Sequence, residues 1–460
     1  MTTPQPKGRI AAAVVRGIVA PLWARWESSP YLRVARELAG REAEGLESRL
    51  ARQWERLREI VAHAYRETPF YRRRFDEIGF APEDLREWDD LRRLPVLRKS
   101  DIQRSAAELR ARTIPDERTE PRKTSGSTGS PLRLVVDIPS SQWKRGVTLY
   151  RDGWTGWRLG EWRAALWGNP EHLAHWRGRL RNRLLERMIF LDTLKMDSAE
   201  VAAFASRVRK IAPTLLFGHA HSLYLLAREW RNAGWPTFRP RAVLSTAMVL
   251  HEHERRLIGE VFECPVFDRY GCEEVSLIAS ECEAHSGLHV NTDTLVVEVV
   301  DADGRPAGPG VPGRVLVTDL TNRAMPVIRY EVGDMAVPAA GSCPCGRSYP
   351  LLSRIAGRVA DYLVTPEGEL ISGISLTENF ANMVPGIEQM QIVQDRRDHL
   401  RIRVVPAPSF GEGSVSTIAE LVRRRFGDRM RFDLEKVGRI APTPGGKYRF
   451  TIREIPLDDA

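Results

Sequence analysis

From about residue 115 the chain alternates short apolar runs with helical segments, and this alternation restricts its fold more than any other feature. Ala242 to Ser245, Leu295 to Val300 and Arg314 to Val317 read as strands bounded by turn residues. Residues 198 to 211 and 220 to 233 read as helices. Asp301-Ala-Asp-Gly304 is the turn signal of a hairpin corner. Strands alternating with helices argue an α/β core.

Both ends differ from this middle. Residues 9 to about 110 read as helices, with Leu46, Leu50, Trp54, Leu57 and Val61 at three- and four-residue spacing. Thr68-Pro69, Gly79 with Pro82, and Leu94-Pro95 break the pattern. After about residue 357 come strands near 387 to 394 and 399 to 405, a helix over 414 to 426 and a strand near 431 to 439. A chain of 460 residues outgrows one hydrophobic core. The expected division is a large domain over 1–356, with a helical N-terminal extension, and a small α+β domain over 357–460.

No apolar run approaches the roughly 20 residues that cross a bilayer, so membrane insertion is not expected. Ile10 to Trp23 looks superficially like a signal peptide, but Arg16 interrupts it and no small-residue cleavage site follows. It reads as an amphipathic helix, and the protein as cytoplasmic. The formal charge of +9 suits acidic partners such as nucleotides, coenzyme A or an acidic carrier protein. The charge is diffuse and lacks the aromatic–basic interleaving of a nucleic-acid platform. Five cysteines give no disulfide framework in a chain this long, which fits a reducing compartment. Only 8 of the 69 cations are lysine, so a lysine among glycines stands out.

Five segments carry chemistry. Thr124-Ser125-Gly126-Ser127-Thr128-Gly129 lets successive N–H groups and hydroxyls converge on phosphate oxygens, though such runs also serve as flexible linkers. Tyr270-Gly271-Cys272-Glu273-Glu274 follows an apolar strand, where an aromatic could stack a purine and an acid hold Mg²⁺. The same acids would also suit a helix start. Asp334, after Gly333, could accept two ribose hydroxyls or simply close a surface turn. Arg354 to Asp361 falls where the chain changes texture. Lys447 lies in Pro444-Gly-Gly-Lys-Tyr-Arg449.

In this order the segments resemble the adenylate-forming superfamily of acyl-CoA synthetases, peptide-synthetase adenylation domains and luciferases. Thr68-Pro-Phe-Tyr-Arg72, Leu94-Pro-Val-Leu97 and Cys343-Pro-Cys-Gly-Arg347 are similar to its phenylacetate-CoA ligase branch, nearest to relatives in capsular polysaccharide and natural-product clusters. The resemblance runs from about residue 45 to the C-terminus. It implies an α/β body of sheets and helices with a small mobile lid that turns near Ala360-Asp361. It further implies that Ser125 to Gly129 grip the β and γ phosphates and that Tyr270 packs on adenine. Glu274 would ligate Mg²⁺, Asp334 would hold the ribose and Arg358 would support it. Lys447 would meet both the substrate carboxylate and the α-phosphate. The acid pocket would draw on Trp167, Gly168 and His219, with Ala247 near the nucleotide. Glu273, Leu132 and Ala360 depart from the usual pattern at the metal, phosphate and hinge positions.

Cys282, His289, Cys343 and Cys345 form a candidate structural zinc site, as in members of that branch, or else are small core residues. The activity implied is ATP- and Mg-dependent formation of an acyl-adenylate, then transfer to coenzyme A. The alternatives are transfer to an amine, hydroxyl or carrier protein, or a nucleotide-binding protein without catalysis. The acid's identity and the oligomeric state, a homodimer included, are open.

Overall fold

A computed structural model describes residues 6–123, 132–167, 175–193, 198–358, 362–368, 370–372, 376, 380, 383–441 and 449–455. Strands β1 (Thr119–Lys123) and β2 (Arg133–Asp137) form an antiparallel pair, and the hydroxyl-rich segment joins them. The main sheet begins with β3 (Arg163–Trp167), β4 (Met188–Asp192), β5 (Leu215–His219), β6 (Ala242–Thr246) and β7 (Val266–Cys272). These run parallel in the order 4-3-5-6-7. The antiparallel half holds β8 (Ser276–Glu281), β9 (Leu288–Val290), β10 (Leu295–Val300), β11 (Gly313–Asp319), β12 (Tyr330–Pro338) and β13 (Leu351–Arg358). The whole is an α/β body with one mixed sheet, as expected.

Parallel neighbours need crossovers, and helices supply them. Helix Ser198–Ile211 turns Val201, Phe204, Ala205 and Val208 into the core, one stripe at helical spacing. Helix Ala220–Asn232 does the same with Leu223, Leu226, Ala227 and Trp230. Each large side chain so buried contributes about 1.5–3 kcal/mol against its exposed state.

Helix Leu46–Glu67 departs from the sequence expectation in an informative way. Leu57 and Val61 are fully buried, but Leu46 is exposed and Arg49 and Gln53 take core positions. Gln53 donates to the Leu295 carbonyl at 2.6 Å. Arg49 donates to the Arg41, Glu42 and Glu44 carbonyls and lies over the Tyr349 ring. These side chains satisfy backbone acceptors brought in from other segments, a role that hydrophobic spacing does not report.

The next two segments brace β12. The Tyr71 hydroxyl donates to the Pro326 carbonyl and accepts from Ile328 N–H. Leu97 N–H donates to the Arg329 carbonyl, while Glu331 N–H donates to the Leu97 carbonyl.

Ahead of them, the expected amphipathic helix is helix Pro6–Val14, a π turn Val15–Val19 and helix Ala20–Trp26. Val15 and Ala20 pack on Leu185. The opposite face is apolar too, with Ile10, Val14, Ile18, Leu22 and Trp26 exposed.

At the C-terminal end, β14 (Ile387–Arg396), β15 (His399–Pro406), β16 (Arg431–Lys436) and β17 (Thr451–Arg453) form a four-stranded sheet ordered 16-15-14-17. Helix Glu412–Phe426 covers it with Ile418, Leu421, Val422 and Phe426. This sheet and helix share a core of their own.

Candidate active site

The parallel strands β5, β6 and β7 end side by side, where the sheet changes from parallel to antiparallel pairing. Open α/β sheets bind ligands at such carboxyl ends. His219 closes β5, Ala247 follows β6, and Tyr270-Gly271-Cys272 closes β7. Gly271 is required by proximity: a Cβ there would lie 2.5 Å from the Ser276 carbonyl oxygen. Ala247 holds a left-handed conformation with φ 64°, a local strain of the kind that accumulates at functional sites.

Two tyrosines and two acids tie β7 to β12. Tyr270 Oη donates to Asp334 Oδ2 at 2.8 Å, and Tyr330 Oη donates to Glu274 Oε1 at 3.0 Å. Each segment's tyrosine therefore holds the other's carboxylate. Burial, then the Glu274 charge, pushes the Tyr330 hydroxyl far up, so it remains a donor at neutral pH. Glu274 stands in the turn between β7 and β8, with no helix start there, while its neighbour Glu273 is exposed. Cys272 is raised well above the usual thiol range by burial and by Glu274, which leaves it a thiol rather than a nucleophilic thiolate. Arg358 faces Asp334 across the β12–β13 ladder.

Of the residues expected to meet the acid, Trp167 and His219 come together at the ends of β3 and β5. Trp167 stacks on Phe217 with centroids 5.5 Å apart, and the His219 ring lies 4.5 Å from Trp167. Arg269 caps Phe217 at 4.8 Å and ion-pairs with Asp152 at 2.7 Å. Thr124, Ser125, Gly126, Ser127, Thr128, Gly129, Gly168 and Lys447 lie outside the described residues.

A histidine group that sequence reading passed over meets the C-terminal sheet. His221 Nδ1–H donates to the fully buried Glu254 at 2.8 Å, and the His251 and His253 rings stack 5.6 Å apart beside it. Burial drives the Glu254 carboxyl up, but the His221 bond and the neighbouring imidazoles bring it below the usual carboxylate range. Phe450 packs on both His221 and His251. Arg228 and Glu388 add an ion pair at 3.6 Å across the same junction.

Cys282, His289, Cys343 and Cys345 converge with all ligand atoms within 4.8 Å. Cys282 Sγ is 3.6 Å from Cys343 Sγ and 3.3 Å from His289 Nε2, which is 3.4 Å from Cys345 Sγ. A tetrahedral zinc with bonds of about 2.0–2.3 Å sets its ligands roughly 3.3–3.8 Å apart, so the donor set fits. Burial lowers the His289 imidazole to about 4, which keeps it neutral as a ligand must be.

The CapK C-terminal domain family matches residues 363–454. A phenylacetate-coenzyme A ligase of Thermus thermophilus is 28% identical over 68% of this chain and 71% of its own length. Protein CapK of Staphylococcus aureus is 24% identical over 58% of this chain and 59% of its own. This chain is a homologue of the phenylacetate-CoA ligases and CapK. Its fold is that of adenylate-forming CoA ligases. A 2-hydroxyisobutyryl-CoA ligase in the postadenylation state, with 2-HIB-AMP, superposes with TM-score 0.76 at 23% identity over 90% of this chain and 91% of that one. The same ligase in its thioesterification state gives 0.61 over 91% and 92%.

The histidines had a signal in the sequence: His219-Ala-His221 and His251-Glu-His253-Glu254 use four of the chain's ten histidines. Tyr330 lies four residues before Asp334 on the same strand. What identified its role was the partner across the sheet.

Proposed function

We propose that this protein activates a carboxylic acid with ATP, forming an acyl-adenylate and pyrophosphate, and then transfers the acyl group to coenzyme A. The observation that carries this reading is the crossed pair Tyr270–Asp334 and Tyr330–Glu274 at the strand ends. It sets a purine-sized aromatic, a carboxylate for ribose hydroxyls and a carboxylate for a cation within one connected unit. Relatives that are phenylacetate-coenzyme A ligases support the same activity.

In this proposal Ser125 to Gly129, with Thr124, bind the β and γ phosphates, Tyr270 beside Gly271 packs on adenine, and Asp334 with Arg358 holds the ribose. Glu274 holds Mg²⁺, which neutralises phosphate charge when bound. The Lys447 cation draws the substrate carboxylate and α-phosphate together, because a carboxylate must approach phosphorus through negative oxygens. Trp167, Gly168, His219 and Ala247 line the acid's side. Residues 1–356 serve as the body and 357–460 as a lid that turns between half-reactions near Ala360-Asp361. The four-residue Cys/His cluster holds a structural zinc. Among the described residues no helix is long and apolar enough to cross a membrane, and we assign the protein to the cytoplasm.

The deciding experiment is carboxylate-dependent exchange of labelled pyrophosphate into ATP over a panel of aromatic and aliphatic acids. Exchange with any acid supports the reading and names the substrate class. Silence across a broad panel, with ATP binding intact, overturns it. The second reading is transfer of the acyl group to an amine, hydroxyl or carrier protein in place of coenzyme A. AMP release with an added amine and no coenzyme A distinguishes it.

A further inference from the structure

The N-terminal helices expose what soluble surfaces ordinarily hide. Ile10, Ile18, Leu22 and Trp26 are 67%, 56%, 63% and 70% exposed, with Val14 between them. They recur every four residues along one outer stripe. A four-residue stripe drifts around an ideal α-helix, but the π turn Val15–Val19 winds less per residue and slows that drift. Beside it, helix Trp176–Arg181 and the following π turn Asn182–Glu186 expose Trp176, Leu180 and Leu184. The two segments meet through the Val15, Ala20 and Leu185 cluster, so their outer stripes are neighbours.

The charge pattern selects the occupant. Residues 1–26 contain Lys7, Arg9, Arg16 and Arg25 and no acid, and residues 175–185 contain Arg177, Arg179 and Arg183, while Arg181 is neutralised by Glu27 and Glu186 at the ends of the two stretches. Arg16, Arg25, Arg177, Arg179 and Arg183 are exposed. Two copies of such a face would set like charges together, which disfavours self-association. Aliphatic residues in a stripe, cations flanking them and a tryptophan on each helix match the interfacial zone of an anionic bilayer.

We propose that this face docks on anionic lipid membranes, laying the N-terminal helices in the plane of the surface without spanning it. The face lies apart from the strand ends that carry the candidate active site, and the proposal does not depend on the reaction assigned there.

The test is sedimentation of the full chain with vesicles of phosphatidylcholine alone or mixed with phosphatidylglycerol, at low and high salt. Binding to the anionic vesicles, weakened by salt, is expected. The triple variant Ile18→Ser, Leu22→Ser, Trp26→Ser changes only exposed side chains and should keep its melting temperature. It should lose roughly a hundredfold or more in vesicle affinity, because each large side chain removed weakens partitioning by about tenfold. Arg16→Ser with Arg25→Ser should reduce the preference for phosphatidylglycerol. Three results would overturn the proposal: no sedimentation with anionic vesicles, equal binding to both compositions, or a dimer in light scattering that only the triple variant dissolves.

Discussion

The Phe450 ring meets the His221 imidazole edge-on, with centroids 4.8 Å apart and planes at 85°. Phe450 is also fixed to the C-terminal sheet, since its carbonyl accepts from Ile392 N–H at 2.7 Å. The ring thus joins the C-terminal sheet to a histidine floor held by Glu254, three residues beyond Lys447 in the chain. Edge-to-face pairs contribute about 0.5–1.5 kcal/mol beyond their area. We expect Phe450→Ala to lower pyrophosphate exchange by roughly tenfold or more, while turnover of preformed acyl-adenylate with coenzyme A is retained. Phe450→Tyr should restore exchange. Equal loss in both half-reactions would mean the contact only stabilises the fold.

Tyr330→Phe removes the hydroxyl that holds Glu274 and leaves the ring in place. Loss of a partner that orients a metal ligand weakens metal binding by about 10–100-fold. The Mg²⁺ concentration for half-maximal exchange should rise accordingly, with the melting temperature nearly unchanged. An unaltered Mg²⁺ profile would remove Glu274 from the metal site.

Structural zinc contributes folding free energy directly. Elemental analysis should find about one zinc per chain, and strong chelation or Cys345→Ser should lower the melting temperature. No zinc and an unmoved melting curve would return these four residues to the core.

Burial, with Glu281 beside it, raises the Asp268 carboxyl to about 7. Between its ordinary value and about 7 the folded chain keeps a proton that the unfolded chain releases. Its contribution to stability is therefore full at low pH and declines as pH rises through that window. A shift of about three units corresponds to at most about 4 kcal/mol. Asp268→Asn removes this dependence, so the variant should gain stability relative to the wild type between about pH 5 and pH 8 in thermal melts. A constant difference across that range would disprove the assignment.

The α/β alternation was legible because burial writes itself as spacing. Residues 198 to 211 became one helix, and Ala242 to Ser245 became Ala242–Thr246. Arg49 and Gln53 were illegible because a polar residue on a core face is explained only by acceptors brought from elsewhere, here as far as Leu295. Tyr270, Glu274 and Asp334 could be singled out by residue type and turn chemistry. Their bonds could not, because Tyr270 and Asp334 are 64 positions apart and meet only after β13, β9 and β8 are laid between β12 and β7. The histidine group was missed because its meaning depends on Phe450, some two hundred residues away in sequence.

The crossed tyrosines couple the two segments. Because each segment's hydroxyl serves the other's acid, a change in one strands a carboxylate in the other. Losing one tyrosine hydroxyl should therefore cost more than replacing both members of its pair with apolar groups of the same shape.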